Sequence, residues 1–334
     1  MTTVFFAMPN GRFDLIFPQP VLDEIRSRYS LVDLPTPDVA DESYVTSGIG
    51  EAEIVITSWG SPSIGESVLN AAPRLELIVH AAGSVRPIVT DAIWERGVRV
   101  TSSANAIAEG VAEFCLGLTL TCTKRAFWYA LQTRLGYWPK GDDAFGPPFE
   151  IYRQNVGLIG AGYVGRLFAE HLKRFGCNVL LYDPYCSKEV AESLDCEVVA
   201  SLDELFTRSR VVSLHAPVTD ETKGMIRGSH FARLPTGALF INTARGVIVR
   251  EAEMIEELRK GRFIACLDVT DPEPPLIDSP LRTLPNVLLT PHEAGSIVEN
   301  RRRIGEFALA EIDRFTGGES LEGEVTKDRL TILA

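Results

Sequence analysis

The chain has 334 residues, 45% of them hydrophobic and 23% charged, the balance of an ordinary globular protein long enough for two domains. A formal net charge of −12 repels phosphate backbones and anionic lipid, so neither nucleic acid nor a membrane is an expected partner. An anionic substrate would need local cations inside a cleft.

The opening "MTTVFFAMPNGRF" has no basic leader region and reads as a strand, and no segment approaches the roughly 20 apolar residues of a bilayer span. The expected location is therefore cytoplasmic. Cys115, Cys122, Cys177, Cys186, Cys196 and Cys266 form no C-x-x-C pair and no metal-ligand spacing. They read as buried thiols of a reducing compartment, with no metal site.

In chain order, "VFFAM", "AEIVIT", "LELIVHA" and "VRVT" are strand candidates, separated by amphipathic stretches such as "PVLDEIRSRY" and "IVTDAIWERG". Strand–helix alternation with glycine at the joints predicts βαβ units and a parallel sheet. A long helical reading follows, "AIAEGVAEFCLGLTLTCTKRAFWYALQTR", apolar enough to bridge domains or to pack on a second subunit. After it, "LGYWPKGDDAFGPPFEIYRQ" reads as an irregular linker. A second strand series comprises "NVGLIG", "CNVLLYD", "RVVSLHA", "GALFINTA", "FIACLDV" and "NVLLTPH". The closing "RRRIGEFALAEIDRFTGG" has helical periodicity and is placed to return to the first domain; Arg301–Arg303 read as a solvated or salt-bridged face. The fold class expected is α/β, with two doubly wound parallel-sheet domains.

The stretch "GLIGAGYVG" sits between a strand and a helix, and a second strand then ends on Asp183. Gly160 permits the tight turn, Gly162 lets backbone amides approach a pyrophosphate, and Gly165 lets helix pack on strand. The helix N-terminus offers free donors to phosphate. Asp183 would accept ribose hydroxyls and repel a 2′-phosphate, which favours NAD over NADP.

Three later motifs supply chemistry for a bound nicotinamide. "INTARG" sets Arg245 just past a strand, where its planar fork can hold a carboxylate. "LLTPHEAG" sets His292 past another strand, and "LDVTDPEPP" sets Glu273 past a third. A carboxylate on an imidazole fixes its tautomer and stabilises the imidazolium, which can then protonate a ketone oxygen. Of the other histidines, His171 lies on the helix after the glycine loop and His230 in a polar stretch. His80 ends an early strand and is read as packing.

Taken together, "GLIGAGYVG", "YDP", "SLHAPVTDETKGMI", "GALFINTARG", "LDVTDPEP" and "NVLLTPH" resemble the D-isomer-specific 2-hydroxyacid dehydrogenases, in that family's order. The likeness is strongest over 150–297, fainter over 75–125, and weak in the first seventy residues. It implies an NAD-binding Rossmann domain over 104–297 carrying a bridging, dimerising helix. A flavodoxin-like substrate domain is implied over 1–103 and 298–334. It further implies a homodimer, a small 2-keto or 2-hydroxy acid substrate bound between the lobes, and Arg245, Glu273 and His292 as anchor, partner and acid/base. Around the cofactor it places Tyr163 and Val164 at the pyrophosphate turn, His215 and Pro217 along the groove, and Thr222 in support. Thr243, Ala244, Arg245 and His292 would border the cofactor, with Asp268 near the carboxamide. Backbone amides of Gly83 and Ser84 would join Arg245 and His292 on the substrate.

Several positions depart from the family. "HAAGSVRPI" has Ala82 and Ser84 where glycines are usual and Arg86 where aspartate is usual; "VREAEM" has Arg250 for aspartate. "PHEAG" has Glu293 where an apolar residue is usual, and the glycine–lysine lead into the fingerprint strand is absent. Arg86 would more readily pair with a nearby carboxylate than meet a ligand, and Glu293 is expected to point outward. Trp59 and Pro62 are placed to line the substrate pocket. These departures leave the reaction type and unsettle the substrate. The competing readings are an NAD-sensing scaffold like the corepressors of this fold, and a formate- or phosphite-oxidising relative, against which Glu273 counts.

Overall fold

The computed structural model describes residues 1–32, 35–138 and 145–330; part of the expected linker, 139–144, lies outside the described residues. The chain forms two compact units, Met1–Ile107 joined by the chain from Ser296 onward, and Ala108–Gly295. The first unit holds strands β1 (Thr3–Phe6), β2 (Ser30–Leu31), β3 (Ile54–Thr57), β4 (Leu77–His80) and β5 (Arg99–Ser102). The second holds β6 (Asn155–Ile159), β7 (Asn178–Tyr182), β8 (Glu197–Val198), β9 (Val211–Leu214), β10 (Ala238–Asn242), β11 (Phe263–Leu267) and β12 (Val287–Leu289). Strand β13 (Glu324–Val325) returns to the first unit.

In the second unit all seven strands pair in parallel, in the order β12-β11-β10-β9-β6-β7-β8. That is the doubly wound order whose direction reverses beside β6, where such sheets bind ligands. The runs "ALFIN" of β10 and "FIACL" of β11 are buried at every residue, as strands covered by helices on both faces must be. Phe240 of β10 and Phe263 of β11 pack edge-on and stacked with Phe206 and Phe231.

The first unit's order is β13-β5-β4-β3-β1-β2, parallel except for β13, which runs antiparallel on β5 with Glu324 opposite Thr101. The parallel sheet expected here is present, and its antiparallel edge strand follows from how the tail arrives. Helix Val298–Thr316 buries Ile304, Ala308, Leu309 and Ile312, then stops at Gly317. Its fully buried Glu311 accepts from the amides of Glu322 (3.1 Å) and Gly323 (3.0 Å) and from Arg314 (2.7 Å). A buried carboxylate needs such partners, and here they steer the chain into the β5 edge. The basic cluster is surface chemistry: Arg302 donates to Glu306, Arg303 to Asn300 and Arg301 to Ser296.

The single long helix expected over 106–134 is two, Ala104–Thr123 and Ala126–Arg134. The break is Arg125, at φ +57°, whose fully buried guanidinium donates to the carbonyls of Cys122 (2.8 Å) and Gly237 (3.1 Å). Ala104–Thr123 is also long and apolar enough, by length and composition, to cross a membrane, which corrects the expectation that no segment is; half of that stretch is buried. Of the six thiols, Cys115, Cys122 and Cys266 are buried, while Cys177, Cys186 and Cys196 are only partly so.

His80 is buried at the end of β4, its Nδ1 2.9 Å from the Thr57 hydroxyl. Burial pushes its pKa down to about 4, opposed by a hydrogen bond with the Ser84 backbone. With the folded value below the free 6.5, the unfolded chain binds the proton first as pH falls. The stability His80 contributes is thus complete above pH 6.5 and is lost progressively toward pH 4. Urea midpoints measured between pH 7 and pH 5 should fall more steeply for the native protein than for His80→Asn; parallel slopes would refute this.

Candidate active site and cofactor groove

Strand β6 ends in a bend at Gly160, φ +99°, against which the backbone leaving β9 lies so close that a Cβ would sit 2.8 Å from the His215 carbonyl oxygen. A Cβ on Gly165 would sit 2.2 Å from the Gly160 carbonyl oxygen, so the helix Tyr163–Lys173 seats directly on the bend. Gly162 stands at that helix's N-cap with no side-chain cap, leaving the first amides for an anion. Tyr163 is exposed and Val164 half-buried at the first turn. Asp183, just past β7, accepts from the amides of Ala161 (2.7 Å) and Tyr185 (2.8 Å). A carboxylate has about four acceptor positions, so its capacity toward a ribose is not exhausted. The residues present therefore fit a dinucleotide: an uncapped helix end at the crevice and an acceptor at the neighbouring strand end.

On the other bank, the Thr222 hydroxyl donates to the Pro217 carbonyl (2.6 Å) and accepts from the Thr219 amide (2.8 Å), which shapes the loop after β9. His215 contributes its backbone to the bend. Its imidazole packs edge-on to Phe168, and burial drives its pKa down to about 3, so the ring is neutral.

The chemistry-bearing residues leave adjacent strands. After β10, Asn242 pins the loop, its side chain accepting from the Ala244 amide (3.0 Å) and donating to the Arg245 carbonyl (3.1 Å). Thr243 is buried, its hydroxyl 3.3 Å from the Cys115 sulfur. Arg245 donates to the Ala244 carbonyl (2.6 Å). Part of its side chain reaches solvent, yet the surrounding protein desolvates the guanidinium and pulls its pKa below the usual arginine value, with Glu273 acting in the opposite sense. At Gly246 a Cβ would overlap the Thr270 carbonyl carbon at 2.0 Å, so the Arg245 loop lies directly on the segment that leads to Glu273.

His292 follows β12 at φ +58°, a conformation uncommon outside glycine. Asp268 holds it there: one oxygen accepts from the Thr290 hydroxyl (2.6 Å) and the Glu293 amide (3.0 Å), the other from the Ala294 amide (3.0 Å). Asp268 is 2% exposed, which places its carboxylate inside the turn that carries His292. The turn delivers His292 Nδ1 to within 2.6 Å of Glu273 Oε1, and both side chains remain open to solvent.

Arg245, Glu273 and His292 are thus three side chains of one unit, the last two in direct contact and Glu273 acting electrostatically on the first. Gly83 and Ser84 belong to the first unit, beyond β4, where the Gly83 carbonyl accepts from Ser102. Arg86 donates to the Leu330 carbonyl, Glu293 is exposed, and Trp59 packs on the first unit's core with Arg12 5.8 Å above its ring. His230 caps a short helix through the Arg227 amide. Sequence reading did not single out Asn242 or Thr290. Asn242, at the last residue of a strand, carries a local signal, because asparagine there bonds its own loop; Thr290 acts only through a partner 22 residues away.

A family model, the NAD binding domain of D-isomer specific 2-hydroxyacid dehydrogenases, matches residues 116–294. The chain is 33% identical over 278 residues to a D-3-phosphoglycerate dehydrogenase of Methanocaldococcus jannaschii, covering 83% of this chain and 52% of that one. The chain therefore spans about half the length of the curated D-3-phosphoglycerate dehydrogenases it matches. To a glyoxylate reductase of Korarchaeum cryptofilum it is 28% identical, covering 90% of this chain and 91% of that one. Among solved structures, an apo D-lactate dehydrogenase of Escherichia coli superposes with a TM-score of 0.73 at 25% identity, covering 98% of this chain and all of that one.

Proposed function

Because the chain belongs to the D-isomer-specific 2-hydroxyacid dehydrogenase family, we propose that it interconverts a 2-keto acid and its D-2-hydroxy acid with NAD as the redox partner. The observation that carries this reading is the 2.6 Å bond between His292 and Glu273 beside Arg245. When bound, the nicotinamide supplies or accepts the hydride at C2. With Nδ1 held by Glu273, His292 presents Nε2 to the oxygen on C2. It gives that oxygen a proton in the reducing direction and takes it back in the oxidising one. Glu273 fixes the tautomer and stabilises the charged ring. Arg245 grips the substrate carboxylate in its fork and draws charge from the neighbouring carbonyl. The uncapped amides after Gly162 receive the pyrophosphate, and Asp183 the adenosine ribose.

The relatives' names suggest the trial substrates: glyoxylate, pyruvate, and the 2-keto counterpart of 3-phosphoglycerate. Consumption of NADH that depends on one of these acids supports the reading; inertness across such a panel, widened to dicarboxylic keto acids, counts against it.

The acting form we propose is a homodimer. Phe127, Leu131, Leu135, Tyr137 and Trp138 are all exposed within twelve residues, on and just after the helix Ala126–Arg134. An apolar run of that density is characteristic of an interface. Sedimentation equilibrium should give twice the chain mass, and Trp138→Glu should shift it toward the single chain. A native monomer would overturn the dimer.

A further inference from the structure

Tyr185 is exposed, three residues past β7, and its hydroxyl donates to Glu221 Oε2 at 2.6 Å. Glu221 lies in the loop after β9. Strands β7 and β9 flank β6 on either side, so this bond joins the two banks of the crevice into which the Gly160–Gly162 turn opens. Tyr185 follows directly on "YDP" and Glu221 lies within "SLHAPVTDETKGMI", and both side chains are exposed on the surface.

We propose that Tyr185 and Glu221 form a strap across the adenosine end of the cofactor groove, which holds Glu221 as a second carboxylate, beside Asp183, that excludes a 2′-phosphate. The inference rests on the reading above that places the adenosine ribose at Asp183. Three observations support it. Asp183 already engages two backbone amides, so part of its charge is answered within the protein. The Tyr185 phenol is pushed above its usual pKa, first by its hydrogen bond and charge interaction with Glu221 and lastly by the charge of Asp183, so both carboxylates act at one place. Glu221, an exposed side chain on a surface loop, would point anywhere in water without a partner, and the phenol gives it one orientation. Tyr185 is thus a positioning residue, acting through Glu221.

The test is direct calorimetric titration of the substrate-free protein with NADH and with NADPH, for the native chain, Glu221→Gln, Tyr185→Phe and the double variant. In Glu221→Gln the ratio of the NADPH to the NADH dissociation constant should fall by about three- to tenfold, because one like-charge repulsion near a phosphate is removed. Tyr185→Phe should lower the same ratio by less, and the two changes should not add, since both act through one carboxylate. Raising the ionic strength should lower the native ratio more than that of Glu221→Gln, in which Asp183 alone is left to be screened. An unchanged ratio in both single variants would overturn the strap. Asp183→Asn is the control for the underlying reading: if it leaves the affinities for both dinucleotides unchanged, the ribose assignment itself fails. If it changes them while the Glu221 and Tyr185 variants do not, only the strap fails.

Discussion

Replacing His292 with asparagine lowers the turnover of keto-acid reduction by about 10²–10⁴-fold, the usual worth of a positioned general acid. NADH affinity should move by no more than about twofold, since the dinucleotide is held mainly by the glycine loop and the Asp183 strand end. Asparagine is the informative substitution because it tolerates the left-handed backbone that His292 adopts at φ +58°. The turn clamped by Asp268 should therefore persist, and the loss reports the missing imidazole rather than a collapsed loop. Glu273→Gln tests the partner: it keeps the size and a hydrogen-bonding group but removes the charge that stabilises the imidazolium. Its loss should be smaller than that of His292→Asn and should appear in kcat with the substrate KM nearly unchanged. Equal activity in native protein and His292→Asn would remove this residue from the chemistry.

Changing Arg245 to lysine reduces kcat/KM for the keto acid by about 10- to 100-fold, the loss of one charge-assisted hydrogen bond of about 1.5–3 kcal/mol from a bidentate pair. Lysine keeps the positive charge, so a purely electrostatic role would survive the change and a fork-shaped grip would not. Arg245→Ala should lose more, because it also removes the cation that Glu273 faces. Steady-state kinetics with saturating NADH separates the cases. If lysine restores full activity, the carboxylate is held by charge alone.

The two sheets were legible because their main strands are dense runs of valine, isoleucine and leucine ended by glycine, proline or asparagine. The two-residue strands β2, β8 and β13 carry no such pattern. They exist by pairing on an edge already formed, as β13 does where Glu311 delivers the tail to β5. The break at Arg125 was hidden for a related reason. Lysine and arginine are good helix formers, and it is distant carbonyls such as that of Gly237, receiving the guanidinium, that reveal the turn.

At the site, the glycine loop and its strand-end aspartate are local in sequence, since turn, helix and acceptor follow within one βαβ unit. Arg245, Glu273 and His292 were visible as residues past strand ends, but their contacts depend on the sheet order. The 2.6 Å approach of His292 to Glu273 needs β12 paired on β11. Asp268 shows the same dependence. Its hydrogen bonds run to Thr290, Glu293 and Ala294, more than twenty residues away. The Tyr185–Glu221 bond spans 36 positions and is likewise a product of strand order.

The proposed reaction turns on a hydride delivered to C2 while His292 protonates the adjoining oxygen. Single-turnover reduction with NADH deuterated at the transferable position, read by mass and chirality of the product, addresses that step alone. One deuterium at C2 of the D-hydroxy acid, formed about 10²–10⁴-fold more slowly in His292→Asn, is the expected outcome. Unlabelled product, L-hydroxy acid, or an undiminished rate of labelling in the variant would rule it out.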